Sequence, residues 1–216
     1  MLRILLCIFC YVAVSLAFPA TPAWGQQTYE DLIAAVRAND ARTARSLISR
    51  GMDVDTADPD GNTLLMMAAR DGHTDLANFL VGMKAKVRAR NGFGESAMMF
   101  ASLKGHLEVA RLLYAHGAEI NHSGWTPLHY CAWEGRIEVC RFLIERGADA
   151  NALSPNGTSP LMMSARGGSI EVARLLLKAS ADPSVRNDSG VTALSWALKV
   201  GNTNVASLLR QAGAKD

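Results

Sequence analysis

Two sets of glycines at fixed intervals constrain the fold of this 216-residue chain more than any other feature. The first set is spaced by 33, 30, 33 and 33 residues: Gly72, Gly105, Gly135, Gly168 and Gly201. The second set lies eleven residues before each member of the first: Gly61, Gly94, Gly124, Gly157 and Gly190. A period of this length is typical of repeat architectures, in which each unit packs on its neighbours. The sequence therefore predicts a stacked array of similar units.

Each unit is predicted to be a pair of short helices. A hydroxyl residue follows each glycine of the second set by two positions: Thr63, Ser96, Thr126, Ser159 and Thr192. Such a residue caps a helix by accepting a bond from a free backbone N–H. Pro127 and Pro160 come next, where a missing N–H is tolerated. The glycine of the first set then ends this helix in the left-handed conformation, and a second amphipathic helix follows, as at residues 170–179.

A third glycine position closes the second helix, before an extended return to the next unit. It is occupied by Gly51, Gly117, Gly147 and Gly213. Lys84 and Ser180 stand there in two units, so those exits are expected to be strained or reshaped. Asn39 takes the inter-helix glycine position of a degenerate first copy.

The segments "GWTPLHYCAWEG" and "GHLEVARLLYAHGAEIN" resemble the first helix and the second helix with its exit in ankyrin repeats. The resemblance implies an all-α ankyrin-repeat solenoid of about six helix-turn-helix repeats with short β-turn fingers. It extends over an ankyrin repeat domain at 26–216, with repeats at about 28–59, 60–92, 93–122, 123–155, 156–188 and 189–216. Ankyrin arrays are mostly protein-binding scaffolds rather than enzymes, so the resemblance implies a binding function.

The N-terminus predicts export. After "MLR" comes an apolar run of fifteen residues, 4–18, which is short of the ~20 residues that span a bilayer. This favours a signal peptide at 1–25, with cleavage after Gly25 or alternatively after Ala17. An uncleaved membrane tether is the other interpretation. Cleavage predicts a periplasmic or secreted protein, in contact with the membrane only through the transient signal peptide.

The two cysteines outside that segment replace small residues of the repeat. Cys131 stands where the other copies have Ala or Ser, and Cys140 where they have Ala. In an oxidising compartment, a paired change at facing positions predicts a disulfide between them. Two buried thiols, or a redox or metal role, are the alternatives.

Catalytic and cofactor chemistry are not predicted. His129 belongs to the Thr-Pro-Leu-His motif, where the family uses the imidazole to bond structure between repeats, and Cys131 replaces a core alanine. The mature chain has no zinc-type spacing of Cys or His, so no metal or other cofactor is expected. Lys and Arg number 22 against 20 Asp and Glu, and this near balance gives no sign of a nucleic acid partner. The polar last copy fits a terminal cap, so no end-to-end polymer is expected. We expect the protein to be a monomer.

In ankyrin folds the finger tips and first helices form a concave surface, so the register predicts the binding residues. The predicted protein-binding residues are Phe93, Phe100, Trp125, Tyr130, Trp133 and Trp196, together with Arg70, Leu103, Arg166 and Lys199. Trp, Tyr and Arg are enriched at the energetic centres of interfaces. The alternative is that the first-helix members fill space between repeats, which is the interpretation for Met67 and Met163.

The connection before Trp125, "INHSGW", is three residues shorter than its equivalents. The shortening either opens the surface beside Trp125 or is a tolerated loop deletion. The resulting hypothesis is a non-enzymatic scaffold that grips one protein of unknown identity, as an inhibitor, immunity or protective accessory protein would. A binder of a small molecule, metal or cell-wall ligand is the alternative, and an enzyme using Cys131 or the histidines is the third class.

Overall fold

The computed structural model describes residues 23–215, which form twelve α-helices. The helices are α1 (Ala23–Arg37), α2 (Ala41–Ser49), α3 (Leu64–Asp71), α4 (Thr74–Gly82), α5 (Ala97–Lys104), α6 (Leu107–Ala115), α7 (Pro127–Trp133), α8 (Ile137–Glu145), α9 (Pro160–Gly167), α10 (Ile170–Lys178), α11 (Ala193–Lys199) and α12 (Thr203–Gln211). Extended pairing in this range is limited to one antiparallel bridge between Ala57 and Thr63. The predicted all-α solenoid is confirmed, and six helical pairs fit the predicted count.

The helices pack in two rows. The odd-numbered helices lie side by side in one row and the even-numbered helices in the other, and the two helices of each pair also contact each other. Apolar side chains between the rows form a continuous core from Leu32 in α1 to Leu209 in α12. Met67 and Met163 are buried in it, which confirms their interpretation as core residues. Each repeat therefore completes its core only by packing on its neighbours.

The capping residues end up where the spacing places them. The hydroxyls of Thr63, Ser96, Ser159 and Thr192 accept the backbone N–H three residues on. The hydroxyl of Thr126 instead contacts the imidazole of His129. The five glycines between the helices of a pair all have positive φ, as predicted for residues that end a helix in the left-handed conformation.

Among residues 23–215, three residues other than glycine share the left-handed conformation. Asn39 has φ 56°, Lys84 has φ 68° and Ser180 has φ 64°. The exits at Lys84 and Ser180 are thus strained in the way their position predicts, because a Cβ is disfavoured there. The backbone keeps the shape that glycine gives in the other repeats.

A recurring hydrogen bond links neighbouring repeats beside the inter-helix glycines. His73 bonds the carbonyl of Val36, at 3.1 Å from Nδ1, and His106 bonds that of Arg70. Arg136 and Asn202 donate in the same way to carbonyls of the preceding repeat. Ser169 stands at this position in the fifth repeat, where its hydroxyl caps α10 instead. Repeats four and five are held together by other contacts.

The shortened connection differs from the other fingers in its hydrogen bonding. In the others a backbone N–H donates to the carbonyl four residues on, as Asn91 does to Glu95 at 2.9 Å. The described residues of the shortened connection, 119–125, make no such backbone bond, and the ring of His122 contacts the carbonyl of Ser123. The finger next to Trp125 is therefore shorter than the others and lacks their backbone hydrogen bond.

The predicted signal peptide, 1–25, lies outside the described residues except for its last three. These three form the start of α1, which begins five residues before the first predicted repeat. Within the described range, no helix combines the length and apolar character needed to cross a bilayer.

Candidate functional site: an aromatic cluster on the inner helices

Five of the predicted binding residues meet at the junction of repeats four, five and six. They are Trp125, Tyr130 and Trp133 from the fourth repeat, Arg166 from the fifth and Trp196 from the sixth, and we call them the aromatic cluster. Tyr130 and Trp133 lie three residues apart on α7, one helical turn along the same side. The side-by-side packing of α7, α9 and α11 brings the other two repeats within reach.

Trp125 packs edge-on against two rings of the following helix. Its centroid lies 5.3 Å from the imidazole of His129 and 6.5 Å from the ring of Tyr130, with interplanar angles of 74° and 72°. This edge-to-face arrangement suits the charge distribution of aromatic rings. Trp125 is half-buried and forms a fixed wall of the cluster.

Arg166 bridges the two tryptophans on either side of it. Its guanidinium carbon lies 5.7 Å from the ring centre of Trp133 and 5.6 Å from that of Trp196, distances typical of cation–π contacts. Gly167 allows the backbone of α9 to lie close to the end of α7, because a Cβ at that position would collide with the backbone carbonyl oxygen of Trp133. Trp133 remains 42% exposed, so part of its ring faces solvent.

A cavity of about 210 Å³ lies inside the cluster. It is lined by Trp125, His129, Tyr130, Trp133, Met163 and Arg166. A second cavity of about 390 Å³ lies across Trp125 and Tyr130, at the shortened finger, and its walls include Phe93 and Arg90. Trp125 and Tyr130 are thus shared walls between two concavities.

A hydrogen bond to the third repeat fixes Tyr130. Its hydroxyl donates to Oε1 of Glu95 at 3.1 Å. Burial, followed by the negative charge of Glu95, raises the pKa of Tyr130 well above its ordinary value of 10. The phenol therefore stays protonated and donating at physiological pH.

His129 is a structural residue beneath the cluster. Its Nδ1 accepts the backbone N–H of Thr126 at 3.1 Å, so its Nε2 carries the proton and donates to the carbonyl of Thr158 at 2.9 Å. Burial lowers its pKa from 6.5 to about 4, so the ring is neutral at physiological pH. The predicted role of this histidine, bonding one repeat to the next, is confirmed.

The two cysteines lie behind the cluster on the helical pair of the fourth repeat. Cys131 in α7 and Cys140 in α8 are fully buried, their Cα atoms are 5.6 Å apart, and their sulfur atoms are at disulfide-bonding distance. The distance between these two cysteines is therefore compatible with a disulfide bond. Complete burial also removes Cys131 from contact with any substrate in this structure.

The remaining predicted binding residues lie outside the cluster. Phe93 is 76% exposed on its finger, at the far wall of the second cavity. Phe100 and Leu103 are half-buried on α5, and Lys199 is exposed at the end of α11. Arg70 lies on α3 and forms an ion pair with Asp71 at 2.9 Å.

Three contributors were not predicted as site residues. Met163 and His129 line the cavity although both are almost fully buried, and Glu95 holds Tyr130 from the neighbouring repeat. Met163 follows the register of Tyr130 by one repeat, which is the signal that would have placed it at the cavity. Within residues 23–215, no group of three His, Cys, Asp or Glu is arranged to hold a metal ion.

The comparisons with known proteins agree with this architecture. The family described as Ankyrin repeats (3 copies) matches residues 29–91, 72–154 and 147–216. Together these matches cover most of the chain, which therefore belongs to the ankyrin repeat family. Members of this family generally mediate protein–protein interactions and are generally not catalysts. No curated protein matches the chain significantly.

Proposed function

We propose that this protein is a non-enzymatic binding module that grips one protein partner through the aromatic cluster. The observation that carries the proposal is the cavity between Trp125, Tyr130 and Trp133, which lies on the row of first helices and is bordered by Arg166. Tryptophan, tyrosine and arginine dominate the energetic centres of protein interfaces, particularly where they line a pocket. The bond of Tyr130 to Glu95, and that of the underlying His129 to Thr158, also hold the cluster rigid, which lowers the entropy cost of binding.

The proposed setting is the periplasm or the extracellular space, reached through the signal segment at 1–25. Oxidation of Cys131 and Cys140 there would fasten α7, which carries Tyr130 and Trp133, to α8. The role we propose is that of an inhibitor, immunity or protective accessory protein. N-terminal sequencing of the exported protein tests the setting: a start at Gln26 supports it, and an intact Met1 contradicts it.

The test of the binding site is affinity capture from the compartment in which the protein resides, with wild type beside Trp125→Ala/Trp133→Ala. Loss of each anchor is expected to cost ~2 kcal/mol, which is a ~30-fold weakening. Because Trp125 also packs against the core, Trp133→Ala alone serves as a second variant that keeps the fold.

The matched control is Met83→Ala/Leu153→Ala, since both side chains are exposed and neither lines the two cavities of the cluster. A partner that is retained by the control and lost by both tryptophan variants supports the proposal. A partner that survives Trp125→Ala/Trp133→Ala places binding on another face and overturns it.

A further inference from the structure

The chemistry of the cavity specifies the kind of partner segment that it can accept, and this inference rests on the proposed function. Its volume of about 210 Å³ exceeds the ~150 Å³ that suffices for a benzene molecule in an engineered protein cavity. Its walls are the rings of Trp125, Tyr130 and Trp133 and the buried side chain of Met163. Aromatic rings prefer edge-to-face neighbours, and methionine sulfur also packs well on rings. The space therefore suits one aromatic side chain.

A cation without an acidic neighbour borders this space. Among the described residues, Arg166 makes cation–π contacts with Trp133 and Trp196 but no ion pair. The repeat register shows why: Arg70 occupies the same position in the second repeat, and the residue after it, Asp71, neutralises it at 2.9 Å. In the fifth repeat that following residue is Gly167.

The charge of the last two repeats has the same sign as Arg166. Residues 151–216 contain seven Lys and Arg against four Asp and Glu. Of those four, Glu171 lies on α10 in the other row of helices, Asp182 and Asp188 lie on connections, and Asp216 is the last residue. The first helices of the last two repeats, α9 and α11, carry Arg166 and Lys199 and no carboxylate. On the Arg166 side of the cavity an approaching carboxylate is attracted and an approaching cation is repelled, whereas Glu95 lies at the Tyr130 wall, where it accepts the phenol hydrogen bond.

We propose that the cavity receives an aromatic side chain of a partner protein and that an Asp or Glu next to it in the partner's chain pairs with Arg166. The guanidinium carbon lies 5.7 Å and 5.6 Å from the two tryptophan ring centres, and among the described residues the side chain forms no ion pair, so its N–H groups remain available to a carboxylate. A planar guanidinium matches a carboxylate with two parallel bonds, and such charge-assisted bonds are about twice as strong as neutral ones. The stacking pre-organises the side chain, so little freedom is lost on binding.

The experiment is a selection from a phage-displayed library of random peptides, joined at their C-termini to the coat protein so that every carboxylate is a side chain. Four immobilised proteins are compared: wild type, Arg166→Glu, Trp133→Ala and Arg174→Glu. Arg174 is the matched control because it lies in the same repeat, on α10, and its replacement changes the net charge equally. Far-UV circular dichroism checks each fold, and Arg166→Gln is a milder second variant.

We expect wild type and Arg174→Glu to enrich peptides with Phe, Tyr or Trp adjacent to Asp or Glu. Arg166→Glu should lose or reverse the acidic preference while keeping the aromatic one, and Trp133→Ala should lose both. A synthetic copy of an enriched peptide should weaken ~10-fold or more when its acid is changed to the amide, and this loss should vanish with Arg166→Gln.

Two other results overturn the inference, and they differ in what they say about the proposed function. Peptides that depend on Trp133 but have no acidic preference would refute the role of Arg166 and leave the aromatic cluster as the binding site. If wild type enriches no peptides other than those that Trp133→Ala also enriches, the cluster does not bind peptide segments. Both the inference and the proposed site then fail.

Discussion

The second and fourth repeats, 60–92 and 123–155, place different chemistry on the same backbone frame. In the second repeat, the backbone N–H of the capping Thr63 donates to the sulfur of Met66 at 3.4 Å. In the fourth repeat, the corresponding N–H of Thr126 donates to the imidazole of His129 at 3.1 Å. The imidazole has a second nitrogen, which reaches the next repeat, whereas the thioether ends at its own helix.

The same two repeats differ on both sides of the first helix. Ala68 and Ala77 face each other in the core of the second repeat, where the fourth has Cys131 and Cys140. On the other side, the second repeat has Met67 and Arg70 where the fourth has Tyr130 and Trp133. The frame is therefore set by glycines, caps and small core residues. Changes at the other positions, here three in the fourth repeat and one in each of the next two, can then build a site without altering the frame.

The largest expected difference between the two repeats is in the pH dependence of stability. We expect acidification to destabilise wild type through His129, by ~2–3 kcal/mol at 1.36 kcal/mol per unit of pKa. The unfolded chain binds a proton near pH 6.5, whereas the folded chain keeps His129 neutral down to about pH 4. The contribution of neutral His129 to the free energy of unfolding is therefore present above pH 6.5 and is lost as the pH falls towards 4.

Urea unfolding at pH 6.5 and pH 4, with wild type beside His129→Met, measures this contribution. Methionine is the residue of repeats two, three and five at this position, so the variant gives the fourth repeat the chemistry of the second. His116→Met removes an exposed histidine as the control. Equal acid sensitivity in wild type and His129→Met would contradict the burial argument.

The second expected effect comes from the cysteine pair. Cys131→Ala/Cys140→Ala restores the alanines of the second repeat, and we expect it to lower the free energy of unfolding of the oxidised protein by ~2–3 kcal/mol, as for other short disulfide loops. Packing should persist, because alanine is buried at both positions there. Urea unfolding with and without reductant checks this: reductant should destabilise wild type and leave the variant unchanged. Two titratable thiols in the unfolded, unreduced exported protein would refute the bond.

A third test concerns the contact between repeats four and five. Alanine in place of a helical glycine ordinarily stabilises by ~1 kcal/mol. Gly167→Ala should instead destabilise by ~1–3 kcal/mol, because the new Cβ meets the carbonyl oxygen of Trp133 and forces the repeats apart. Thermal unfolding monitored by tryptophan fluorescence measures it, with Lys104→Ala, at the same register position in the third repeat, as the control. A stabilised Gly167→Ala would show that the repeats separate at no cost.

The smallest effect is expected at the exits of repeats two and five. Lys84→Gly and Ser180→Gly should each stabilise by ~1 kcal/mol, because the left-handed conformation strains a residue with a Cβ. The reverse change, Gly147→Ser in the fourth repeat, should cost a similar amount. Urea midpoints of the three variants measure this, and an unchanged midpoint in the glycine variants would show that the strain is relieved elsewhere.

Much of the candidate site follows from the register, because a position in one repeat has the same surroundings in the next. In this way the sequence places Tyr130, Trp133, Arg166 and Trp196 on one surface. The register did not indicate that Arg166 lies against the rings of Trp133 and Trp196. These are contacts between repeats, which a column of equivalent positions does not contain.

The repeat, the helical pairs, the left-handed turns and the buried small positions follow from the sequence, since each depends on local backbone preferences repeated at a fixed period. Which of the aligned side chains touch depends on tertiary packing. The cavity between Trp125, Tyr130 and Trp133 depends on how closely neighbouring repeats approach, and at Gly167 that distance is set by the contact of one backbone with another. Local periodicity fixes which residues share a surface, and packing between repeats fixes the shape of that surface.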